Sequence, residues 1–140
     1  MPISDNYLWL AEEKSVTSTG DTASDSYDHQ VNNDPGHMSA DTRVIVVVDT
    51  NVTSGGAATV AAVLQDSDDN SSFADVLVGK AHPKASLVKG FEMLNTKLPI
   101  GIRQYSRVVF RVATAALTAG KFNARYQLGQ QRNIARPSNV

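Results

Sequence analysis

Residues 59–73 read TVAAVLQDSDDNSSF, a short apolar run that passes directly into an acidic, serine-rich segment. The apolar half predicts a β-strand ending near Gln65, and the cluster of Asp, Asn and Ser after it predicts a loop. Upstream, residues 43–50 read RVIVVVDT, the strongest β pattern in the chain. Because this run is continuous rather than alternating, we expect a central strand that is covered on both faces.

The rest of the chain continues this pattern at nearly regular intervals. Residues 73–80 and 90–98 predict two further strands. Residues 107–112 and 121–128 alternate apolar and polar side chains, which predicts a hairpin with one buried and one solvated face. No segment shows a sustained apolar period of 3.6 residues, so we expect little helix.

The region before the central strand has weaker signals. Residues 13–19 indicate an edge strand, and residues 20–41, rich in Asp, Asn, Ser and Gly, predict a long connection suited to an interaction loop, with a short strand possible near residues 26–31. About eight short strands in one domain indicate an all-β protein, an antiparallel β-sandwich or barrel. The periodicity alone leaves immunoglobulin-like, jelly-roll and other strand orders open.

We expect three parts along the chain: an N-terminal segment or arm at residues 1–10, one β-sandwich domain at residues 11–128, and a C-terminal arm at residues 129–140. The N-terminal segment ends in the apolar cluster YLWL, which is too short to fold alone. It either packs on its own domain as a first strand or lies on a neighbouring molecule, and the pattern favours the first.

Composition restricts the classes of partner and chemistry. The chain has 140 residues, a formal net charge of -1 and no cysteine. We therefore expect no disulfide and no thiolate metal site, and neither nucleic acid nor a membrane as partner. We also expect no membrane span and no secretory signal, because the longest apolar runs are short.

The acidic segment resembles the opening of a calcium loop, because Asp66, Asp68 and Asn70 stand at alternate positions. The match fails where that loop needs a glycine, since Ser71 stands there, and where it needs a bidentate glutamate, since Leu77 stands there. We predict a solvated turn with Asx-type backbone hydrogen bonds instead.

No constellation of side chains predicts catalysis. The three histidines, His29, His37 and His82, lie in polar or turn-rich contexts, which is typical of surface or loop positions. We expect no metal, no cofactor, no catalytic residue and no enzymatic activity. Four arginines on or near the polar face of the last two strands predict a basic stripe, more suited to a protein interface or a solvated face than to nucleic acid: Arg103, Arg107, Arg111 and Arg125.

Two stretches carry a family resemblance, TSGGAATVAAVLQDSDDNSSF and LPIGIRQYSRVVFRVATAALTAGKFNARYQL. With the strand before them, they resemble the capsid cement, or decoration, proteins of tailed bacteriophages, of the Bordetella-phage type, over residues 42–128. The resemblance implies a jelly-roll subunit on the outer surface of the virion capsid, made in the host cytoplasm. It also implies assembly with itself, commonly as a homotrimer, and binding to the major capsid protein.

The two arms are where we expect contacts with partners. The expected contact residues are Tyr7, Trp9 and Leu10 in the N-terminal segment, and Arg132, Ile134 and Arg136 in the C-terminal arm. The alternative function is a carbohydrate-binding β-sandwich module, since jelly rolls often serve as its frame. Such sites usually need exposed aromatic platforms, whereas this chain has 6% aromatic residues, most of them at predicted core positions.

Overall fold

The computed structural model describes residues 9–29, 42–99 and 101–128, which form ten strands and one turn of 3-10 helix at Lys84–Ser86. No helix within these ranges is long and apolar enough to cross a membrane. The strands are β1 (Trp9–Ser15), β2 (Gly20–Ala23), β3 (Tyr27–Asp28), β4 (Thr42–Thr53), β5 (Thr59–Ser67), β6 (Ala74–Val78), β7 (His82–Pro83), β8 (Glu92–Lys97), β9 (Tyr105–Ala113) and β10 (Ala119–Leu128).

The strands form two antiparallel sheets. Sheet A has the order β1-β10-β4-β8, and sheet B has the order β2-β9-β5-β6. The short strand β3 continues the line of β2 along β9, and β7 continues the line of β6 along β5. Counting each of these pairs as one interrupted strand gives eight strands in the order of a jelly roll, with strands 1-8-3-6 facing strands 2-7-4-5. The predicted all-β antiparallel sandwich is therefore confirmed.

The core lies between the two sheets and is built from the inward-facing positions of the four central strands. The rings of Phe110 in β9 and Phe122 in β10 stack across it with their centroids 4.9 Å apart. Fully burying one such side chain contributes about 1.5–3 kcal/mol, so this layer is the main stabilising term. The other fully enclosed core side chains of the central strands are Val44, Val46, Val48, Val60, Ala62, Leu64, Val108, Ala124 and Tyr126.

The prediction that the last two strands form a hairpin is wrong. β9 pairs with β5, β2 and β3 in sheet B, whereas β10 pairs with β1 and β4 in sheet A. The connection at residues 114–118 crosses from one sheet to the other and buries Leu117 on the way. The alternating pattern correctly identifies the buried face of each strand, but it carries no information on which strand lies alongside.

Hydrogen bonds between loops close the end of the sandwich at which this connection lies. The hydroxyl groups of Thr53 and Thr118 lie 2.7 Å apart, and the Ser54 hydroxyl donates to the carbonyl of Ala116 at 2.7 Å. The backbone N–H of Leu117 donates to the carbonyl of Thr17 at 2.9 Å. We call this end the closed end.

At the start of the described chain, β1 begins at Trp9 and buries Leu10 in the core, as the favoured interpretation of this segment as a first strand on its own domain expects. The first part of the predicted connection at residues 20–41 forms the edge strands β2 and β3, because their backbone groups pair with β9. The remainder, residues 30–41, lies outside the described ranges.

Strand β6 contains a register shift between the positions opposite Leu64 and Gln65. Leu77 pairs with Leu64 and packs against the core, while Val76 and Val78 are exposed. This irregularity explains why the apolar alternation of residues 73–80 is imperfect in the sequence. Directly after β6, the backbone N–H of Gly79 donates to the carbonyl of Ala62 at 2.9 Å.

We predict that Gly79→Ala destabilises the fold by about 1–3 kcal/mol, because an added Cβ would meet the carbonyl oxygen of Ala62 at 2.5 Å. The matched control is Gly55→Ala, since a Cβ there meets no atom within 4 Å. Chemical denaturation should show a lower free energy of unfolding for the first variant and no loss for the second. Equal stability of the two variants would contradict the close approach at Gly79.

Candidate interaction surface

The residues that flank the undescribed parts of the chain lie at one end of the sandwich. β1 begins at Trp9, opposite Arg125, close to where β10 ends at Leu128. Leu128 in turn pairs with Thr42, the first residue of β4. We call this end, opposite the closed end, the arm end, because both predicted arms adjoin it.

The other two flanking positions lie at the same end. The backbone N–H of Leu98, which follows β8, donates to the carbonyl of Thr42 at 2.9 Å. In sheet B, the backbone N–H of His29 donates to the carbonyl of Gln104 at 2.6 Å, beside the start of β9. The described residues Trp9, His29, Thr42, Leu98 and Leu128 therefore all lie at the arm end.

Two of the six predicted contact residues lie within the described ranges. The guanidinium carbon of Arg125 lies 5.4 Å from the centre of the half-buried Trp9 ring, on the outer face of sheet A. The Leu10 side chain is 2% exposed and packs in its own core. The other four lie outside the described residues: Tyr7, Arg132, Ile134 and Arg136.

A buried polar cluster lies beneath the arm end. His29 Nε2 is 2.7 Å from the hydroxyl of Ser106, and that hydroxyl also bonds the hydroxyl of Tyr126 in the opposite sheet. The ring of Tyr27 meets those of His29 and Tyr126 edge-on, with centroids 4.9 Å and 5.5 Å away. Burial raises the pKa of the Tyr126 hydroxyl, which keeps it neutral. The cluster thus joins β3, β9 and β10.

The prediction that His29 is a surface or loop histidine is wrong, since it is 2% exposed. The prediction failed because the neighbouring residues in sequence are polar and give no sign that one side of β3 faces the core. A bonded Ser–His pair is also found in hydrolases, but Ser106 is fully buried, so its hydroxyl is not accessible to a substrate. His82 is half-buried against the ring of Phe91, and His37 lies outside the described residues.

At the acidic segment, strand β5 extends further than expected and includes Asp66. The Arg103 guanidinium binds the Asp66 carboxylate, with an Nη2–Oδ1 distance of 2.8 Å, and also donates to its backbone carbonyl at 2.8 Å. The Arg103 backbone N–H donates to the same carboxylate at 3.2 Å. These bonds fix the chain before β9 against the end of β5.

The turn after β5 is organised by Asp69. Its carboxylate oxygen Oδ1 accepts hydrogen bonds from the backbone N–H groups of Ser71 and Ser72, both at 2.9 Å, and from the hydroxyl of Ser67 at 2.8 Å. The hydrogen bond from the Ser72 backbone, together with those from Ser67 and Ser71, lowers the pKa of Asp69 to about 2. The predicted Asx-type turn is confirmed. Within the described ranges, no three histidine or carboxylate side chains come together as a metal site.

A polar lattice crosses the outer face of sheet B. The Arg111 guanidinium in β9 binds Asp21 in β2 at 2.8 Å and Asp75 in β6 at 3.1 Å. The Gln65 amide in β5 donates to Asp75 at 2.8 Å and accepts from Arg107 Nε at 3.0 Å. The lattice therefore connects all four strands of the sheet. The Arg107 guanidinium also lies 3.9 Å from the centre of the Phe73 ring.

The lattice covers an apolar strip on the same face. Ala61 and Val63 of β5 and Val109 of β9 point away from the core cluster, yet all three are buried. To reach Asp75, Arg111 must extend over β5, so its alkyl chain shields this strip while its charge stays partly in water. Hydrogen bonds from Arg111 and Gln65 lower the pKa of Asp75.

The structure thus divides the predicted basic stripe. Arg107 and Arg111 share the outer face of sheet B, Arg103 binds Asp66, and Arg125 lies on the outer face of sheet A. Sequence reasoning missed Asp21 and Asp75 as partners of Arg111, because only the register of four strands brings them together. Two of the four guanidinium groups, those of Arg103 and Arg111, bind carboxylates of the same chain.

We predict that Arg111→Lys lowers the free energy of unfolding by on the order of 1 kcal/mol, because an ammonium cannot bridge both carboxylates as the guanidinium fork does and solvent screens the remaining pair. Thermal or chemical unfolding measures the loss. The control is Lys121→Arg, at an exposed position of β10. Asp21→Asn and Asp75→Asn should each lower the free energy of unfolding less in the Arg111→Lys background than in the wild type. Equal losses in the two backgrounds would show that Arg111 is not coupled to these carboxylates.

We predict that the stabilising effect of Asp69 depends on pH in the acid range. Its folded pKa of about 2 lies below the ordinary value of 3.8, so its contribution is present above the unfolded pKa and is lost as pH falls through the folded one. The difference in melting temperature between the wild type and Asp69→Asn should therefore shrink between about pH 4 and about pH 2. A difference that stays constant over this window would contradict the assignment.

Comparison with known protein families gives a match over most of the chain. No curated protein matches the chain. The model of the Bbp16 family matches residues 10–126, which includes nearly the whole described sandwich, and the family is named after a Bordetella phage protein. The chain therefore belongs to the Bbp16 family.

Proposed function

We propose that this chain is a structural protein of a phage virion, a capsid cement or decoration protein. It binds the outer surface of the capsid and stabilises the contacts between major capsid proteins. The observation that carries the proposal is membership of a family named after a phage protein, whose model matches nearly the whole sandwich. The jelly-roll strand order, which the resemblance implies for cement proteins, supports the same conclusion.

The arrangement suits a clamp. The core and the loop contacts of the closed end make the sandwich a stiff body, and we propose that the two arms contact different points of the shell. Linked contacts of this kind bind far more tightly together than singly, because each one raises the effective concentration of the others. Because many copies bind one shell, contacts that are individually modest stabilise it together.

We propose no catalytic role for the side chains that could be taken for metal-binding or catalytic groups. Asp66 is held by Arg103, Asp69 by its own turn, and Ser106 is buried with His29. Each of these side chains has a structural task that accounts for its position. We propose that the activity of the protein is binding free energy, supplied without a cofactor.

The partners are the major capsid protein and further copies of the chain, which we propose to assemble as a homotrimer. Contact with the shell is made by the arms and their surroundings. Tyr7 and Trp9 act in the N-terminal segment, and Arg132, Ile134 and Arg136 act in the C-terminal arm. Leu10 contributes indirectly, because its burial fixes the start of β1.

We predict that virions without this protein release their DNA at a lower temperature, and sooner in low salt, than complete virions do. Adding back the purified full-length protein should restore the wild-type release temperature. Adding back a variant with Arg132→Ala, Ile134→Ser and Arg136→Ala should not, although its own melting temperature should equal that of the wild type. The matched control is a variant with Gln130→Ala, Asn133→Ala and Asn139→Ala in the same arm.

Release of DNA can be followed by a fluorescent dye during heating. Equal stability of particles with and without the protein would overturn the cement role. Full restoration by the Arg132, Ile134 and Arg136 variant would leave the cement role standing and remove these residues from the contact.

A further inference from the structure

The outer face of sheet A carries two guanidinium groups near the arm end. In the strand register, Arg125 of β10 lies opposite Ile45 of β4, and Arg43 precedes Ile45 by two positions on the same face. The two arginines are therefore diagonal neighbours on adjacent strands, about 7–8 Å apart. Arg43 directly follows Thr42, the first residue of β4, so the pair adjoins the arm end.

These two arginines differ from Arg103 and Arg111, whose guanidinium groups bind carboxylates of the same chain. Within the described ranges, Arg43 and Arg125 form no ion pair, and both are half-buried. Lys97, opposite Arg43 on β8, has an interaction of its own. The positive charge that this face offers to a partner is therefore that of the two arginines.

Neutral neighbours hold both guanidinium groups in place. That of Arg125 lies 5.4 Å from the centre of the Trp9 ring. Nη1 of Arg43 donates to Oδ1 of Asn95 at 3.0 Å. These contacts orient the two groups without neutralising their charge, so less side-chain freedom is lost when an anion binds them.

Apolar side chains lie beside the two arginines. Ile45 alternates with core residues of β4 and points away from the core, yet it is 5% exposed, and Val47 on the same face is half-buried. We call the set Trp9, Arg43, Ile45, Val47 and Arg125 the arginine face. Tryptophan and arginine are the residue types that most often dominate the binding energy of protein interfaces. The composition of this face is therefore that of a protein-binding surface.

The positive charge of the arginine face covers a short distance. In the next row towards the closed end, the backbone N–H of Glu13 donates to Asn123 Oδ1, and Glu92 pairs with Val47. The side chains of both glutamates are exposed. Nucleic acid needs a basic track that follows several phosphates. Two positive groups with acidic neighbours fit a short segment with a few carboxylates instead.

We infer that the arginine face binds an acidic segment of a partner protein. In an extended chain, side chains two residues apart lie on the same side at a spacing of about 7 Å, which matches the spacing of the two arginines. A segment with carboxylates at alternate positions can therefore place one carboxylate on each guanidinium fork. The C-terminal arm does not fit this chemistry, because residues 129–140 contain two arginines and no acidic residue. Only the naming of the partner as the shell rests on the proposed function.

Fluorescence anisotropy with labelled peptides tests the inference on the full-length protein. The probe is a peptide of alternating glutamate and serine, and the comparison is a peptide of the same composition with its glutamates in adjacent pairs. We expect the alternating peptide to bind several-fold more tightly in about 0.1 M salt. Its binding should be lost in about 1 M salt, where the screening length falls from about 10 Å to about 3 Å.

The double variant with Arg43→Gln and Arg125→Gln should bind the alternating peptide about tenfold more weakly, because two charge-assisted contacts are lost. The matched control carries Lys89→Gln and Lys121→Gln, which remove the same charge at two exposed positions outside the arginine face, and it should bind like the wild type. The variant with Arg43→Lys and Arg125→Lys should fall between them, since it keeps the charge without the fork. All three variants should keep the wild-type melting temperature.

Three results would overturn the inference: a wild type that does not bind the alternating peptide, equal binding of the two peptides, or equal weakening by the control variant. Tighter binding of an oligonucleotide with the same number of negative charges, lost in the Arg43→Gln and Arg125→Gln variant, would replace the acidic protein segment by nucleic acid. Peptide binding as expected, together with equal stability of particles with and without the protein, would overturn the cement role and leave the arginine face standing.

Discussion

Burial of strand β5 on both faces is the constraint on which the rest of the structure depends. Val60, Ala62 and Leu64 point into the core, whereas Ala61 and Val63 point outward and are buried all the same. A strand in a two-sheet sandwich ordinarily has one buried face and one solvent-exposed face. Here the outer face needs its own cover, and the chain supplies it with long polar side chains rather than with another layer of secondary structure.

This cover works because arginine combines an apolar stem with a charge that stays near water. Arg111 shields the strip under its alkyl chain while its guanidinium meets Asp21 and Asp75, both of which remain partly exposed. The desolvation penalty is therefore small compared with that of a fully buried ion pair. The same bonds tie both edge strands of sheet B to its centre.

Much of the fold was predictable from the sequence, but its connections were not. The runs that became β4, β5, β9 and β10 are apolar at the positions that must be buried, so their existence and their core faces follow from local pattern. Strand pairing depends on contacts far apart in the chain. Alternation alone therefore placed β9 beside β10, whereas the jelly roll separates them into different sheets.

The candidate site was less predictable for the same reason. The Asx turn of Asp69 is local, and the sequence predicted it correctly. The burial of His29 against Ser106 and the bridge from Arg111 to Asp21 and Asp75 each join residues that are distant in sequence, and no local signal marks them. The resemblance identified the family, and the structure added the arm end.

The central claim is that the arm end binds the shell. A three-dimensional image reconstruction of the capsid with the protein bound tests it most directly. The account predicts that the arm end faces the shell, with the start of β1 and the end of β10 at the contact. A reconstruction with the closed end on the shell and the arm end in solvent would contradict it.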